Sequence, residues 1–373
     1  MKVSSLSLRN YRNYGSVDLE TDHRVNVFIG RNAQGKTNLL EAIYMIALTK
    51  SHRTSKDKEL IRWSSDHATL AASVERKYGD CRLQLDISAQ GKKARINGLE
   101  QRKLSAYIGS LNVVLFAPED LEIVKGSPGV RRRFLDMEIA QVHPSYLHSL
   151  TQYNKVLHQR NNFLKSGEAS KPSSEPLLAV WNEQLASYGS KIMRKRQSFI
   201  AKLQEWAESI HRGITGGAER LDIGYVPSVD VHAEEEETVL FDRFMIKLSQ
   251  AKEQELRRGA TMVGPHRDDL SFRINGKDAY SFGSQGQQRT TALSLKLAEI
   301  ELIHQETGEY PVLLLDDVLS ELDRHRQTQL IETFRSKVQT FITTTGVEGI
   351  RMESLDDVRL FHVSDGDIGE EPL

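Results

Sequence analysis

Residues 30–37 read GRNAQGKT and directly follow the apolar run VNVFI of residues 25–29. A glycine, four variable positions and then Gly-Lys-Thr form the pattern of a phosphate-binding loop, in which backbone N–H groups surround the phosphates of a nucleotide. Downstream of Lys36, apolar residues recur at helical spacing over residues 39–47. The loop therefore lies between a predicted strand and a predicted helix, which is the context that this motif requires. The sequence predicts a nucleotide-binding α/β core.

Strands are predicted on both sides of this loop. Apolar and polar residues alternate over the first thirty positions, which predicts two antiparallel strands joined by a turn at residues 11–15 and followed by the strand that enters the loop. Residues 68–98 predict further strands that end in an Asn-Gly turn, and residues 112–117 (NVVLFA) predict a buried strand. Polar segments of helical period predominate over residues 128–256. We therefore expect a mostly helical lobe inserted into the α/β core.

Residues 312–317 (VLLLDD) predict the second part of the nucleotide site. A fully apolar strand that ends in carboxylates is typical of a central parallel strand whose carboxyl end faces the ligand. We expect Asp316 and Thr37 to hold Mg²⁺, and Lys36 and Asp317 to be catalytic, Lys36 at the β- and γ-phosphates and Asp317 at the attacking water. A buried strand followed by an acidic helix cap is the alternative interpretation. The residues predicted to bind ATP are Gly30, Arg31, Asn32, Ala33, Gln34, Gly35, Lys36 and Thr37.

A second anion site is predicted at residues 284–289 (SQGQQR), which open a predicted helix over residues 287–304. Because the chain already has a phosphate-binding loop, a second anion site needs a second role. A two-fold dimer supplies one, since Ser284, Gly286 and Gln287 of one subunit then close over ATP held by the partner's Lys36. A glycine-containing helix start with polar caps is the alternative interpretation.

The bulk properties limit the class of protein. The chain has 373 residues, a formal net charge of -1 and one cysteine, Cys81, which excludes an internal disulfide framework. Its amino terminus lacks the apolar segment of a signal peptide, and no apolar run approaches the roughly 20 residues that span a bilayer. We expect a cytoplasmic protein that has no membrane partner.

Any DNA binding must rest on a local basic patch, because the whole chain is nearly neutral. Residues 125–200 hold 12 basic and 5 acidic residues, whereas the following helical segment is acidic. A solvated helix face is the alternative interpretation of each basic cluster. The candidates for DNA phosphate contacts are Arg131, Arg132, Arg133, Arg194, Lys195 and Arg196, together with the amino-terminal Arg9, Arg12 and Arg53.

Shifts in these patterns divide the chain into three segments. Residues 1–117 are predicted to form the amino-terminal part of an ATP-binding lobe, and residues 307–373 its carboxy-terminal part. Residues 118–306 are predicted to form the mostly helical lobe that carries SQGQQR. The acidic residues 365–371 are predicted to be a solvated tail.

The motifs occur in the order GRNAQGKT, SQGQQR, LLLDD and SELD, an order that resembles the SMC-like group of ABC-type ATPases. Further stretches resemble the bacterial recombination-mediator ATPases of that group more narrowly. They are LRNYRNY at 8–14, KSHRT at 50–54, FAPED at 116–120, RRRFLD at 131–136 and VGPHRDD at 263–269.

This resemblance implies an ABC-type ATPase head with mixed antiparallel and parallel sheets and an inserted helical lobe, with Asp323 of SELD as the D-loop residue. It implies a nucleoid-associated protein of recombinational DNA repair, replication restart and the SOS response. Such a protein binds duplex and gapped DNA as an ATP-induced dimer and hydrolyses ATP slowly, as a DNA-stimulated switch. It also implies cooperation with RecR and RecO in loading the recombinase RecA at single-strand gaps.

Two positions depart from the wider ABC pattern, which has a catalytic glutamate and a switch histidine. Asp317 stands where the glutamate is usual, and threonines 343–345 stand where the histidine is expected. Both departures favour a slow timer over a fast motor.

Three other classes fit less well. The ATP-hydrolysing subunit of a transporter usually has its two motifs much closer together than the roughly 250 residues seen here. A structural SMC protein requires hundreds of residues of heptad repeats between the motifs, and the sequence has no sustained heptads. A small-molecule kinase has no use for SQGQQR.

Overall fold

The computed structural model describes residues 1–323, 326–328, 330–331, 337–346 and 357–371. The chain forms two compact units. The first contains residues 1–121, 213–217 and 289–373, and the second contains residues 122–212 and 218–288. No helix within the described residues is long and apolar enough to cross a membrane.

The second unit begins at residue 122 and ends at residue 288, whereas the sequence predicts a helical lobe over residues 118–306. The main difference is the helix Gln285–Thr307, because its residues 289–307 belong to the first unit. There Ala292, Leu293 and Lys296 line an apolar pocket with Phe116 and Val318.

The first unit contains an antiparallel sheet in the strand order β2-β1-β4-β5-β6-β7. The alternating pattern of the first thirty residues and of residues 68–98 is confirmed in these strands. Their bounds are β1 (Lys2–Tyr11), β2 (Tyr14–Glu20), β4 (His67–Glu75), β5 (Cys81–Ser88), β6 (Gly91–Ile96) and β7 (Leu99–Glu100).

A second, mostly parallel sheet of the first unit has the order β15-β14-β3-β13-β12-β8. All of its pairings are parallel except that of β14 with β15. The predicted strands before the loop, before the carboxylates and at residues 112–117 are therefore confirmed as members of one sheet. The bounds are β3 (Val25–Ile29), β8 (Val113–Phe116), β12 (Val312–Asp316), β13 (Thr340–Thr344), β14 (Val358–Ser364) and β15 (Asp367–Glu371).

Helix α1 (Lys36–Leu48) contacts strands of both sheets. Its buried residues include Leu39, Ala42, Ile43, Met45 and Ile46, so it has no wide polar face. A helix that is apolar almost all round fits a position between two layers. The two sheets and α1 form the core that carries the phosphate-binding loop.

The acidic carboxy-terminal segment is not a solvated tail. Strand β14 pairs in parallel with β3, and β15 pairs with β14. Phe361 of β14 is buried and stacks on Phe28 of β3, with ring centroids 4.9 Å apart. This apolar contact and the backbone pairing hold residues 358–371 in the sheet, which corrects the prediction.

The second unit is mostly helical and carries a small antiparallel sheet of order β11-β10-β9. Its strands are β9 (Leu221–Val226), β10 (Asp269–Ile274) and β11 (Lys277–Asp278). Further α-helices among the residues that the structure describes are α2 (Leu121–Lys125), α3 (Pro128–Val142), α4 (Pro144–Lys165), α5 (Glu175–Ile214), α6 (Glu237–Arg258), α7 (Ala279–Phe282), α8 (Gln285–Thr307) and α9 (Val318–Glu321).

Candidate functional site

The phosphate-binding loop joins β3 to α1 and curls around the side chain of Lys36. The Lys36 ammonium donates hydrogen bonds to the carbonyl oxygens of Gly30, at 2.7 Å, and Arg31, at 2.8 Å. Desolvation lowers the pKa of Lys36, and the nearby Asp317 and Asp316 carboxylates oppose that effect. The loop thus holds a partly desolvated cation at the place where the sequence predicts nucleotide phosphates.

Two glycines of the loop are required by the surrounding backbone. Gly35 has φ +117°, in the left-handed region, and a Cβ there would lie 2.6 Å from the Asn13 amide nitrogen. At Gly30 a Cβ would lie 2.3 Å from the carbonyl oxygen of Val363. A side chain at Gly35 would be strained and would displace the side chains of Asn13 and Tyr14, and a side chain at Gly30 would displace the backbone at Val363.

The turn between β1 and β2 supports the loop from one side. The Asn13 amide donates to the carbonyl of Gln34 at 2.9 Å, and the Tyr14 hydroxyl donates to the carbonyl of Gly35 at 2.9 Å. Asn38, at the start of α1, donates to the side-chain oxygen of Asn13 at 2.8 Å. The sequence reading assigned no role to Asn13 and Tyr14, although both lie in the stretch LRNYRNY that carries the family resemblance.

Arg12 of the same turn is used internally. Its guanidinium donates to both carboxylate oxygens of the buried Glu41 on α1, at 2.8 and 2.7 Å. The Ser51 hydroxyl donates to the same carboxylate at 2.5 Å. These hydrogen bonds lower the pKa of Glu41 against the desolvation that would raise it. The Arg12 guanidinium is thus engaged with Glu41 within the first unit, and its contact with DNA stays a prediction.

The carboxylates after β12 lie beside the loop. One carboxylate oxygen of Asp316 accepts a hydrogen bond from the Thr37 hydroxyl at 2.9 Å and another from the Thr343 hydroxyl at 2.8 Å. The backbone N–H of Asp317 donates to Thr343 Oγ1 at 3.0 Å. The structure therefore brings together Lys36, Thr37, Asp316 and Asp317, and it adds Thr343 to the set.

This donor set fits Mg²⁺. Magnesium is usually bound by hard oxygen ligands, with one or two carboxylates supplemented by substrate phosphates. Thr37 Oγ1 and Asp316 Oδ1 converge beside the amino terminus of α1, which favours the phosphate anions that would complete the coordination of such a cation. The Thr37–Asp316 contact is the place where such an ion fits.

SQGQQR forms the predicted helix start, with Ser284 preceding α8. The Ser284 N–H donates to the Gln287 side-chain oxygen at 2.8 Å, and the Gln287 N–H donates to Ser284 Oγ at 3.2 Å. This reciprocal pair is a capping box. The Gln287 amide also donates to Glu219 at 2.9 Å. Ser284 and Gln287 thus have structural partners within the second unit, which also contains Gly286.

The D-loop candidate Asp323 is exposed and forms an ion pair with Arg326. Arg326 in turn donates to the Thr290 hydroxyl at 2.7 Å. Within the first unit, this pair links the segment after α9 to helix α8.

Two of the predicted DNA contacts are buried instead. Arg131 donates to both carboxylate oxygens of Asp269, at 2.7 and 2.8 Å. Arg196 is 2% exposed and bonds to Asp136 at 2.7 Å and to the carbonyl of Pro265 at 2.7 Å. Both guanidiniums are thus enclosed in ion pairs within the second unit, and a DNA contact through either one would require its ion pair to break.

The other basic candidates differ in exposure. Arg132 is partly buried and donates to the carbonyl of Asp268 at 2.7 Å. Lys195 is also partly buried, whereas Arg133 and Arg194 are exposed. Each basic cluster thus contains one buried, one partly buried and one exposed residue. The exposed residues are Arg133 and Arg194.

Comparison with known proteins gives a consistent family. Residues 2–366 match the model of the RecF/RecN/SMC N terminal domain. The chain is 55% identical over 368 residues to the DNA replication and repair protein RecF of Bacillus mycoides (strain KBAB4), covering 99% of this chain and 98% of that protein. It is 54% identical to the protein of the same description in Bacillus cereus (strain AH820), with the same coverage.

Solved structures agree with this result. The structure of the recombination mediator protein RecF-ATPrS in the RecFOR pathway superposes with a TM-score of 0.91 at 35% identity, covering 100% of this chain and 98% of that one. The Smc head domain from Pyrococcus furiosus superposes with a TM-score of 0.55 at 15% identity, covering 100% of this chain and 96% of that one. The second likeness concerns the fold alone, and it agrees with the predicted fold of an SMC-like head.

Proposed function

The chain belongs to the RecF family of DNA replication and repair proteins, and from this premise we propose that it is an ATP-dependent DNA-binding protein of recombinational repair and replication restart. One observation carries the proposal. The loop lysine, the Thr37 hydroxyl and the carboxylates of Asp316 and Asp317 meet at the carboxyl ends of the parallel strands β3, β12 and β13. That edge is where open α/β sheets bind nucleotides.

ATP is the proposed nucleotide, a choice supported by the structures of the relatives RecF-ATPrS and RecF-ATP. Residues 30–37 would surround its phosphates, and Thr37 and Asp316 would hold Mg²⁺. When bound, that ion neutralises charge on the phosphates. Asp317 would orient the attacking water. We expect hydrolysis to be slow and DNA-stimulated, so that it limits the lifetime of a bound state.

The bound state we propose is a two-fold dimer. Ser284, Gly286 and Gln287 of one subunit would close over the nucleotide held by the partner's Lys36. The proposal is supported by the amino terminus of α8, which lies at SQGQQR and offers N–H groups to an anion. ATP can favour this dimer only by binding it more tightly than the monomer, and the shared phosphate would supply that difference.

The DNA substrate we propose is duplex and gapped DNA, bound through its phosphates without base reading. The pathway named for the relative RecF-ATPrS supports RecO and RecR as partners, with loading of RecA at single-strand gaps as the outcome. We propose a cytoplasmic protein associated with the nucleoid, since its substrate lies there.

The test is sedimentation with a labelled duplex, with and without a single-strand gap, in three conditions: no nucleotide, ADP, and a non-hydrolysable ATP analogue. We expect a dimer bound to DNA with the analogue and a monomer released from DNA in the other two conditions. A monomer that ignores both DNA and nucleotide would refute the proposal. Salt dependence of the bound fraction would separate phosphate contacts from other binding modes.

A further inference from the structure

The turn between β14 and β15 contacts the phosphate-binding loop at Gln34. The backbone N–H of Asp365 donates to Gln34 Oε1 at 2.6 Å, and the backbone N–H of Gly366 donates to the Gln34 carbonyl at 3.3 Å. The side chain of Gln34 is thus bonded to the carboxy-terminal turn. Both contacts lie within the first unit.

The turn is closely fitted to its surroundings. Gly366 is buried with φ +83°, and a Cβ there would lie 2.7 Å from the carbonyl oxygen of Asn13. Asp365 also has a left-handed backbone, with φ 49°. Directly before the turn, in β14, the carbonyl oxygen of Val363 lies 2.3 Å from the position that a Cβ on Gly30 would take. The loop is therefore held between the turn that carries Asn13 and the turn that carries Gly366.

These contacts determine where the loop's N–H groups point. The Gln34 carbonyl accepts hydrogen bonds from Asn13 and from Gly366, and the Gly35 carbonyl accepts one from Tyr14. In a planar trans peptide the C=O and the following N–H point in opposite directions. Holding these two carbonyls outward therefore directs the N–H groups of Gly35 and Lys36 to the inner side of the loop. That is the side on which phosphates are bound.

We propose that residues 364–367 form a brace that holds the phosphate-binding loop in its binding conformation, with Gln34 as the positioning residue that links the two. The inference rests on the proposed ATP site and adds a function for the carboxy-terminal hairpin. The brace acts on nucleotide affinity, because a loop already held in place does not have to be ordered when the nucleotide binds.

The hairpin offers a matched pair of glycine variants. Gly366→Ala places a methyl group against Asn13 and strains a left-handed backbone. Gly369→Ala, in the same hairpin, meets open space and has no left-handed φ, so it serves as the control. Gln34→Ala removes the side-chain acceptor without adding strain, and the double variant Gln34→Ala, Gly366→Ala completes a double-mutant cycle.

Binding of a fluorescent ATP analogue, steady-state KM and kcat, and the melting temperature are measured for each variant. We expect Gly366→Ala and Gln34→Ala each to raise Kd and KM about three- to tenfold, the loss expected from one or two hydrogen bonds, with a larger change in KM than in kcat. The double variant should bind the nucleotide about as weakly as the weaker-binding single variant, since both substitutions disrupt the same link between the hairpin and the loop.

Three results would overturn the inference. The first is a nucleotide affinity in both single variants that equals that of Gly369→Ala. The second is a double variant in which the two losses of affinity multiply. The third is a loss of affinity that is fully accounted for by a lower melting temperature. A wild-type protein that binds no nucleotide would instead refute the proposed ATP site and the brace with it.

Discussion

At the scale of single residues, the backbone of Asp317 decides which replacements are informative. Its φ is 53°, in the left-handed region, and its N–H bonds to Thr343. Asparagine and aspartate tolerate this conformation better than alanine or glutamate do. An asparagine therefore removes the charge and leaves the local fold in place, whereas an alanine would add backbone strain to the loss of the carboxylate.

Asp317→Asn should bind ATP with near wild-type affinity but hydrolyse it at least about 100-fold more slowly, the usual contribution of a positioned acid–base group. Single-turnover hydrolysis of radiolabelled ATP measures the chemical step, and analogue binding measures affinity. Equal hydrolysis rates in the wild type and in Asp317→Asn would show that Asp317 has no role in the proposed hydrolysis. Loss of binding would show that the carboxylate acts on affinity instead.

His266 is held neutral in the second unit. Its Nδ1 bonds to the Tyr153 hydroxyl at 2.7 Å and its Nε2 to the carbonyl of Thr261 at 3.1 Å. Since a carbonyl can only accept, Nε2 carries the proton and Nδ1 accepts from the tyrosine. Desolvation, with Arg267, Arg132 and Arg160 nearby, lowers the pKa of His266 from 6.5 to about 4.

The unfolded chain therefore binds a proton at position 266 between pH 6.5 and about 4 that the native state does not, so stability should fall as pH falls through this window. One pKa unit corresponds to about 1.4 kcal/mol, so the loss approaches roughly 3 kcal/mol. Urea unfolding across this range measures it. His266→Gln can keep both hydrogen bonds without titrating and should show a shallower pH dependence. An unchanged slope in that variant would contradict the assignment.

At the scale of elements, the start of α8 combines stability and the proposed phosphate contact in one side chain. Ser284 Oγ caps the helix by accepting from the Gln287 N–H. In the proposed dimer the same residue faces the γ-phosphate on the partner. Aspartate is an equally good cap but places a negative charge at that phosphate. The two roles of Ser284 can therefore be separated by substitution.

Ser284→Ala should lose about 1 kcal/mol of stability through the missing cap, while Ser284→Asp should keep the wild-type melting temperature. Both variants should bind ATP as monomers and fail to dimerise with it, Ser284→Asp most completely because of charge repulsion. Thermal unfolding and sedimentation velocity are the paired measurements. Dimerisation of Ser284→Asp at wild-type strength would mean that this helix start is a cap and nothing more.

The same scale shows how far the sequence alone could predict the fold. Periodicity and turn residues predicted β1 to β6, α1 and β12, because each is specified by its own local pattern. The carboxy-terminal hairpin was missed because its composition is acidic and its stability comes from pairing with β3, more than 300 residues away. Loop contacts such as those of Asn13 and Thr343 were missed for the same reason, since spatial neighbours distant in the chain leave no periodic signal.

At the scale of the whole molecule, the number of basic residues in a segment does not indicate how many of their side chains are exposed. The segment of residues 125–200 is strongly basic. Arg196 nevertheless lies buried against Asp136, and Arg160 is buried in a 2.6 Å ion pair with Glu255. Removing one partner of such a pair is costly, because a buried charge is left without compensation. Part of the basic charge is therefore paired inside the second unit, and we expect the proposed DNA contacts among exposed side chains such as Arg194.

The proposed cycle as a whole couples nucleotide state to assembly, and Lys36 tests that coupling. Its ammonium fits between the carbonyls of Gly30 and Arg31. The planar guanidinium of an arginine keeps the positive charge but cannot reproduce this compact contact. Lys36→Arg should therefore retain part of the nucleotide binding and lose hydrolysis, so that it accumulates as a dimer with ordinary ATP. Wild type should behave in this way only with a non-hydrolysable analogue.

Sedimentation velocity at several protein concentrations measures this coupling as a ratio of dimerisation constants with and without nucleotide. We expect ATP to strengthen dimerisation of Lys36→Arg by roughly tenfold or more, which corresponds to about 1.4 kcal/mol of differential binding. By linkage, this factor is shared between the two ATP sites of the dimer, so raising the protein concentration must then tighten ATP binding at each site by its square root, roughly threefold. Equal dimerisation constants with and without nucleotide would refute the proposed coupling, because ATP would then bind the monomer and the dimer equally well.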